Sequence, residues 1–326
     1  MSTTDDLDLA ARLRSYLAAE LGTGRLEYAE EPTALPGGYD TSTYRFALAE
    51  VEDRRLRGPL VVRLFSATAD PRRAVFEAAV QNALANTGYP APRSHLLCTD
   101  TSMLGGAFFV MDLLPGDQLL AAPPDLSSTV MGEAHATLHE LDALPIAAAL
   151  DAAGVIGYRL GGRFDSLEAT AVELPWIGEA VDWLTANRPP EPARLAVCHN
   201  DFHKLNILYE EGAVTGVVDW SGFLITDPVF DVATTIVLFT VSAKHLTEAG
   251  DFEPADLDLV IEEYLAGYEA RRPLDRTHLD YYRALRCMTL LLHWHRTDRG
   301  GPLRPMLDDF ASTIRDVSGV AVELPS

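Results

Sequence analysis

The segment His199-Asn200-Asp201-Phe202-His203-Lys204-Leu205-Asn206, followed by the apolar runs 207–209 and 215–219, constrains this chain more than any other stretch. Glu210-Glu211-Gly212 separates the two runs, so they read as a short hairpin. That places Asp201 in a loop, Asn206 at the start of the hairpin and Asp219 at its end, 13 residues after Asn206. Two short paired strands hold such groups rigidly and leave their oxygens accessible. The donor set suits phosphoryl transfer from a magnesium nucleotide. One carboxylate can take a hydroxyl proton, while an amide oxygen and a second carboxylate hold magnesium. Asp and Asn are more often turn and cap residues; their joint spacing is what favours chemistry here.

The hydrophobic period changes along the chain. Leu9, Leu13, Tyr16, Leu17 and Leu21 recur at helical spacing, which predicts a helix over 7–21. Residues 43–48 and 60–65 then read as strands, preceded by a turn at 35–43 rich in Gly and small hydroxyls. Pro71 opens a helix to about residue 85, and 108–114 is a further strand stopped by Pro115-Gly116. Beyond that point helical patterns dominate, over 127–141, 165–188, 228–243, 255–271 and 276–297. A strand-rich first third and a helix-rich remainder predict an α+β architecture in two lobes, joined near 114–116.

With its polar groups set on a loop and hairpin, the chain resembles the aminoglycoside phosphotransferase family, small-molecule kinases with a protein-kinase-like fold. The likeness is carried by His-x-Asp-x4-Asn at 199–206, by Val217-Val218-Asp219-Trp220 and by Asp227-Pro228-Val229-Phe230-Asp231-Val232-Ala233. It implies a nucleotide-binding lobe over 1–114, an antiparallel sheet plus helices. A catalytic and substrate-binding lobe over 115–326 would be mostly helical, with a short catalytic hairpin. On the same resemblance Asp201 is the catalytic base or hydroxyl-orienting carboxylate, and Asn206 and Asp219 are magnesium ligands. His199 braces the loop and Asp231 supports it from the following helix. Arg63, in Val61-Val62-Arg63-Leu64-Phe65, matches the strand cation that touches nucleotide phosphates, with Glu77 as its ion-pair partner. A surface ion pair is the plainer reading of those two. Thr41 and Ser42 would cover the phosphates, and backbone groups of Met111 and Leu113 would meet the base. The implied cofactors are ATP or GTP and Mg2+. Asn200 and Lys204 stand where the family often has Gly and Pro. Asn tolerates left-handed backbone angles nearly as well as Gly, so a working loop is expected.

The acceptor is less constrained. Lys+Arg 26 against Asp+Glu 48 gives a net charge of -22, which disfavours nucleic acid and anionic membranes as partners. Solubility is the ordinary reason for such a balance; a cleft for a cationic ligand is the sharper one. Glu262, Glu263, Glu269, Asp275 and Asp280 in the C-terminal helices fit either a solvated face or such a cleft. The resemblance points to an aminoglycoside-like or other antibiotic. A metabolite kinase of choline, homoserine or sugar type, or a catalytically silent kinase-like binding protein, is the alternative. Cys98, Cys198 and Cys287 form no paired motif, and no signal peptide or membrane span is visible, so a cytoplasmic enzyme is expected. His199 with His203 and His135 with His139 have the i, i+4 spacing of zinc ligands. The first pair lies in the loop and the second on a helix face without a third ligand, so structural roles are expected. His293 and His295 fall on different faces of their helix, which suits packing or solvent exposure more than substrate contact. Nothing in the sequence speaks to the oligomeric state.

Overall fold

The computed structural model describes residues 3–35, 41–246, 257–297 and 303–325. Its early elements are α1 (Thr3–Glu20), β1 (Tyr28–Leu35), β2 (Thr41–Leu48), β3 (Pro59–Phe65), α2 (Arg72–Ala85), β4 (Ser94–Cys98) and β5 (Phe108–Asp112). Then come β6 (Asp117–Gln118), α3 (Pro124–Glu140), α4 (Ala143–Ala152), α5 (Gly161–Glu173), α6 (Gly178–Ala186), β7 (Ala196–Cys198), β8 (Ile207–Glu210), β9 (Ala213–Val217) and β10 (Leu224–Thr226). The chain closes with α7 (Pro228–Val237), α8 (Ala243–Leu246), α9 (Leu257–Arg271), α10 (Leu279–Thr297) and α11 (Arg304–Ser318). The described chain forms two compact units. One takes Met1–Gly116, Ala148–Val155 and Leu208–Ser221; the other takes Asp117–Ala147, Ile156–Ile207 and Gly222–Ser326.

In the first unit five strands form an antiparallel sheet in the order β1-β2-β3-β5-β4. Both faces of β3 are covered, so the strand reads as a continuous apolar run with one charge in it. Leu60 and Val62 share a cluster with Leu13 and Leu17 of α1, while Val61 and Phe65 join Ala74 and Ala78 of α2 on the opposite face. Strand alternation therefore sends Arg63 to the α2 side, where Glu77 lies on the same helical stripe as Ala74 and Ala78. The hairpin of β8 and β9 turns through Glu211 and Gly212, both at positive φ, a two-residue loop matched to strand twist. Val217 N–H donates to Pro90 O at 2.8 Å, and Trp220, fully buried, packs edge-on against Tyr89. The end of the hairpin is thereby fastened to the unit that carries Arg63.

In the second unit β7 and β10 pair antiparallel, with Cys198 opposite Leu224, and β7 runs straight into His199. Helices α3 and α9 touch backbone to backbone. A Cβ on Gly132 would fall 2.0 Å from Tyr264 O, and one on Gly267 would fall 2.3 Å from Thr129 O, so only glycine permits the approach. Helices α5, α6, α7, α10 and α11 share the largest apolar cluster.

The helix expected over 165–188 is two helices, because Pro175 interrupts the hydrogen-bond ladder after Leu174. The helix expected over 228–243 loosens into a π-helical turn at Leu238–Ser242. Strands β1, β4, β6 and β10 and helices α4 and α11 had no sequence expectation, whereas β7 is the buried strand that Ala196 and Val197 suggest before Cys198. The turn at 36–40 lies outside the described residues. Among those described, no helix is long and apolar enough to cross a membrane, and the three cysteines are free and buried.

Candidate active site

In the first unit Arg63 is 8% exposed and bridges two carboxylates. Its Nε lies 3.0 Å from Glu77 Oε1, and its Nη2 donates to Asp219 Oδ1 at 2.8 Å. Glu77 is fully buried; burial pushes its carboxyl up to about 7, against the pull of Arg63. Asp219 follows the hairpin at φ 62°, a left-handed conformation that turns its carboxylate back toward β3. Ser221 Oγ donates to the same oxygen at 2.9 Å. Thr41 and Ser42 open β2, opposite Phe65 and Leu64. Met111 pairs with Val61 inside the sheet, and Leu113 N–H donates to Pro59 O at 3.3 Å.

In the second unit the loop from His199 to Asn206 hangs from one buried carboxylate. Asp231 Oδ2 accepts the backbone N–H of His199 at 2.6 Å, and Oδ1 accepts that of Asn200 at 2.7 Å. Oδ2 also meets His135 Nε2 at 2.9 Å and His139 Nε2 at 3.2 Å. The two imidazoles turn their other nitrogens to Tyr264 OH and Tyr268 OH, each at 2.7 Å. An i, i+4 pair of histidines on α3 thus faces an i, i+4 pair of tyrosines on α9, across the glycine contact. The helix face expected to lack a third group has one: Asp231 closes the cluster within 4.8 Å. Hydrogen bonds account for every ring nitrogen in it, so the cluster acts as a brace. Burial, with His135 beside it, brings the His139 imidazole down to about 4. Burial opposes ionisation of Asp231, yet the two histidines hold its carboxyl well below the usual range.

Asn200 adopts φ 64°, and its carbonyl accepts from Arg286 Nη2 at 3.2 Å. Gly222 lies beneath, where a Cβ would come within 2.9 Å of His199 O. Asp201 follows with its side chain 35% exposed, 3.4 Å from His203 Nε2. Burial pushes its carboxyl up, but the His203 hydrogen bond and charge, with His199 and Arg286, bring it down to about 2. Asn206 Nδ2 donates to Asp201 O at 3.0 Å and to Asp201 Oδ2 at 3.3 Å. Lys204 Nζ donates to Ser127 Oγ at 2.7 Å and Ser128 Oγ at 3.1 Å.

The structure thus brings together Arg63, Glu77 and Asp219 in one group, and His199, Asp201, Asn206 and Asp231 in another. Sequence reasoning missed Tyr264, Tyr268 and Arg286. The tyrosines show the same spacing as the histidines, and Arg286 interrupts the apolar run from Ala284 to Met288; both signals were available.

The model of the phosphotransferase enzyme family matches residues 31–281. Acyl-CoA dehydrogenase family member 11 of Gallus gallus is 30% identical over 173 residues, which make up 47% of this chain and 21% of that protein. The chain therefore spans about a fifth of that relative's length. Aminoglycoside phosphotransferase APH(4)-Ia superimposes with a TM-score of 0.64 over 96% of this chain and 100% of that one, at 16% identity. A thermostable mutant of the same enzyme, in ternary complex with AMP-PNP and hygromycin B, gives 0.60 over 94% and 99%, also at 16% identity. Identities this low speak for the fold alone, and that fold, α+β and protein-kinase-like, is shared.

Proposed function

The chain belongs to the phosphotransferase enzyme family, and on that footing we propose that it moves the γ-phosphoryl group of ATP or GTP, with magnesium, onto a hydroxyl of a small molecule. The observation that carries the reading is the bridge from Glu77 through Arg63 to Asp219. A buried guanidinium fixed by two carboxylates is preorganised to meet phosphate oxygens with two parallel donors. The donor chemistry fits magnesium. Asn206 directs its amide nitrogen at Asp201, which leaves its carbonyl oxygen for a cation, and Asp219 offers a carboxylate. Asn206 and Asp219 are accordingly the proposed ligands. Magnesium, when bound, offsets charge on the phosphate oxygens.

Asp201 would accept the hydrogen of the acceptor hydroxyl and aim its oxygen at the γ-phosphorus. A carboxylate held at about 2 is a weak base, so its role is orientation, with the proton leaving late. Asn206 keeps that carboxylate from swinging away, and Asp231 fixes the loop beneath it. We assign nucleotide contacts to residues 1–114, through Arg63, Glu77, Thr41, Ser42 and backbone groups of Met111 and Leu113. Acceptor contacts fall to residues 115–326. An aminoglycoside acceptor is supported by the neighbour in complex with hygromycin B, and metabolite alcohols are the second class. The free cysteines support a cytoplasmic location.

The test is nucleoside diphosphate release over a panel of amino-sugars, macrolides, amino-alcohols and hydroxy acids. Acceptor-dependent release is expected with at least one class. None with any class would leave a silent, ligand-binding protein as the better reading.

A further inference from the structure

Arg286 is a buried guanidinium to which the proposed chemistry gives no contact with nucleotide or acceptor. Among the described residues the buried cations are Arg63 and Arg286, at 8% and 9% exposure. Arg63 has two carboxylates. Arg286 forms no ion pair among the described residues: its Nη2 donates to Asn200 O, and its Nε is buried without a hydrogen-bond partner. Taking a guanidinium out of water is costly unless an anion meets it, and arginine does not escape by losing its proton. The residues three and four positions away on α10, Tyr282, Arg283, Thr289 and Leu290, include no carboxylate, so nothing on its own helix face compensates it. It feels the charges of Asp201 and Asp231 without forming an ion pair with either. The group sits against the carbonyl of the residue immediately before Asp201.

We propose that Arg286 is the specificity-determining residue for the acceptor, which carries an oxyanion, a carboxylate or a phosphate, on the molecule whose hydroxyl reaches Asp201. The inference rests on the phosphotransfer reading, favours its second class of acceptor, the metabolite alcohols, over an aminoglycoside, and narrows that class to acidic alcohols. A planar fork with only one donor engaged suits a bidentate oxyanion. The net charge of -22 does not decide against this. Surface charge is screened beyond about 8 Å and governs encounter rate, whereas selection follows from groups in contact. In the reaction the acceptor oxygen forms a bond to the γ-phosphorus and the bond from that phosphorus to the bridging oxygen breaks. The nucleoside diphosphate leaves, and the hydroxyl proton passes to Asp201 and on to water.

The experiment measures ADP release with linear hydroxycarboxylates of increasing length, their methyl esters, a glycerol phosphate and an amino-sugar. It compares wild type, Arg286→Lys and Arg286→Met, each checked for a native circular-dichroism spectrum. Turnover is expected with the hydroxycarboxylates or the alcohol phosphate, the two arms telling carboxylate from phosphate. The preference for acid over ester should collapse in Arg286→Met, with an acceptor KM about 10- to 100-fold higher and partial recovery in Arg286→Lys. In the wild type, carboxylates lacking the hydroxyl should inhibit competitively with the acceptor, which tests the claim even where Arg286→Met does not fold. Turnover confined to aminated or uncharged acceptors overturns the inference, and so does an acid KM unaltered in Arg286→Met. No acceptor-dependent release by the wild type with any compound overturns the phosphotransfer reading itself.

Discussion

Replacing Asp231 by asparagine keeps the shape of the side chain and removes its charge and one acceptor. In the native protein Oδ2 receives the His199 N–H, His135 Nε2 and His139 Nε2, while Oδ1 receives the Asn200 N–H. An asparagine turned with its oxygen to the three-donor side sets its NH2 against the Asn200 N–H. Turned the other way, it sets NH2 against three donors. One hydrogen bond is therefore lost and the rest lose their charge assistance. Bonds to a charged group contribute about 1.5–3 kcal/mol each, and breaking a buried charged cluster at one partner costs about 3–5 kcal/mol. The expected loss for Asp231→Asn is thus about 3–5 kcal/mol. Urea denaturation should show a midpoint lower by about 1–2 M at unchanged slope. Turnover should fall with it, since both backbone tethers of the loop end on this carboxylate. A loss below about 1 kcal/mol with full turnover would refute the reasoning that Asp231 holds the loop.

Glu77→Ala removes one anchor of Arg63 and leaves Asp219 as its partner, so affinity for AMP-PNP should fall about 10-fold or more in a calorimetric titration, and equal affinity would separate Glu77 from nucleotide binding. Stability should decline as pH falls from about 6.5 to about 4, because the unfolded chain protonates His139 near its ordinary value while the folded chain holds it neutral down to about 4. Glu77, held up at about 7, takes up its proton in the folded state first and acts in the opposite sense over the same window. Denaturant midpoints are therefore compared between wild type and His139→Gln; an equal decline in both would contradict the assignment.

What the sequence made legible was local. Loop, hairpin and following helix occupy residues 199–233, where spacing along the chain sets spacing in the molecule. Alternation in 60–65 likewise puts Arg63 on one face of its strand. Edge strands were harder: β1 holds Glu30, Glu31 and Pro32 and is mostly half-exposed or exposed, so it shows no strand pattern. Strand β4, also at an edge, is half-exposed and short. Helix α11 is amphipathic, yet its N-cap position is Leu303, which provides no side-chain cap. The pairing of His135 and His139 with Tyr264 and Tyr268 around Asp231 could not be read from spacing alone. His135 and Tyr264 are 129 positions apart, and they meet because Gly132 and Gly267 let two backbones touch. Arg286 belongs to the same class: a charge in an apolar run is visible, but its neighbour Asn200 is 86 positions away.

The central claim is that Asp201 orients an acceptor hydroxyl for phosphoryl transfer. Single-turnover transfer of a labelled γ-phosphate from ATP to an acceptor, in wild type and Asp201→Asn, tests it most directly. Acceptor-bound label is expected in the wild type, and in the variant a transfer step slower by roughly 100-fold or more with AMP-PNP affinity nearly unchanged. Transfer at the wild-type rate in Asp201→Asn, or label released only as inorganic phosphate, would contradict it.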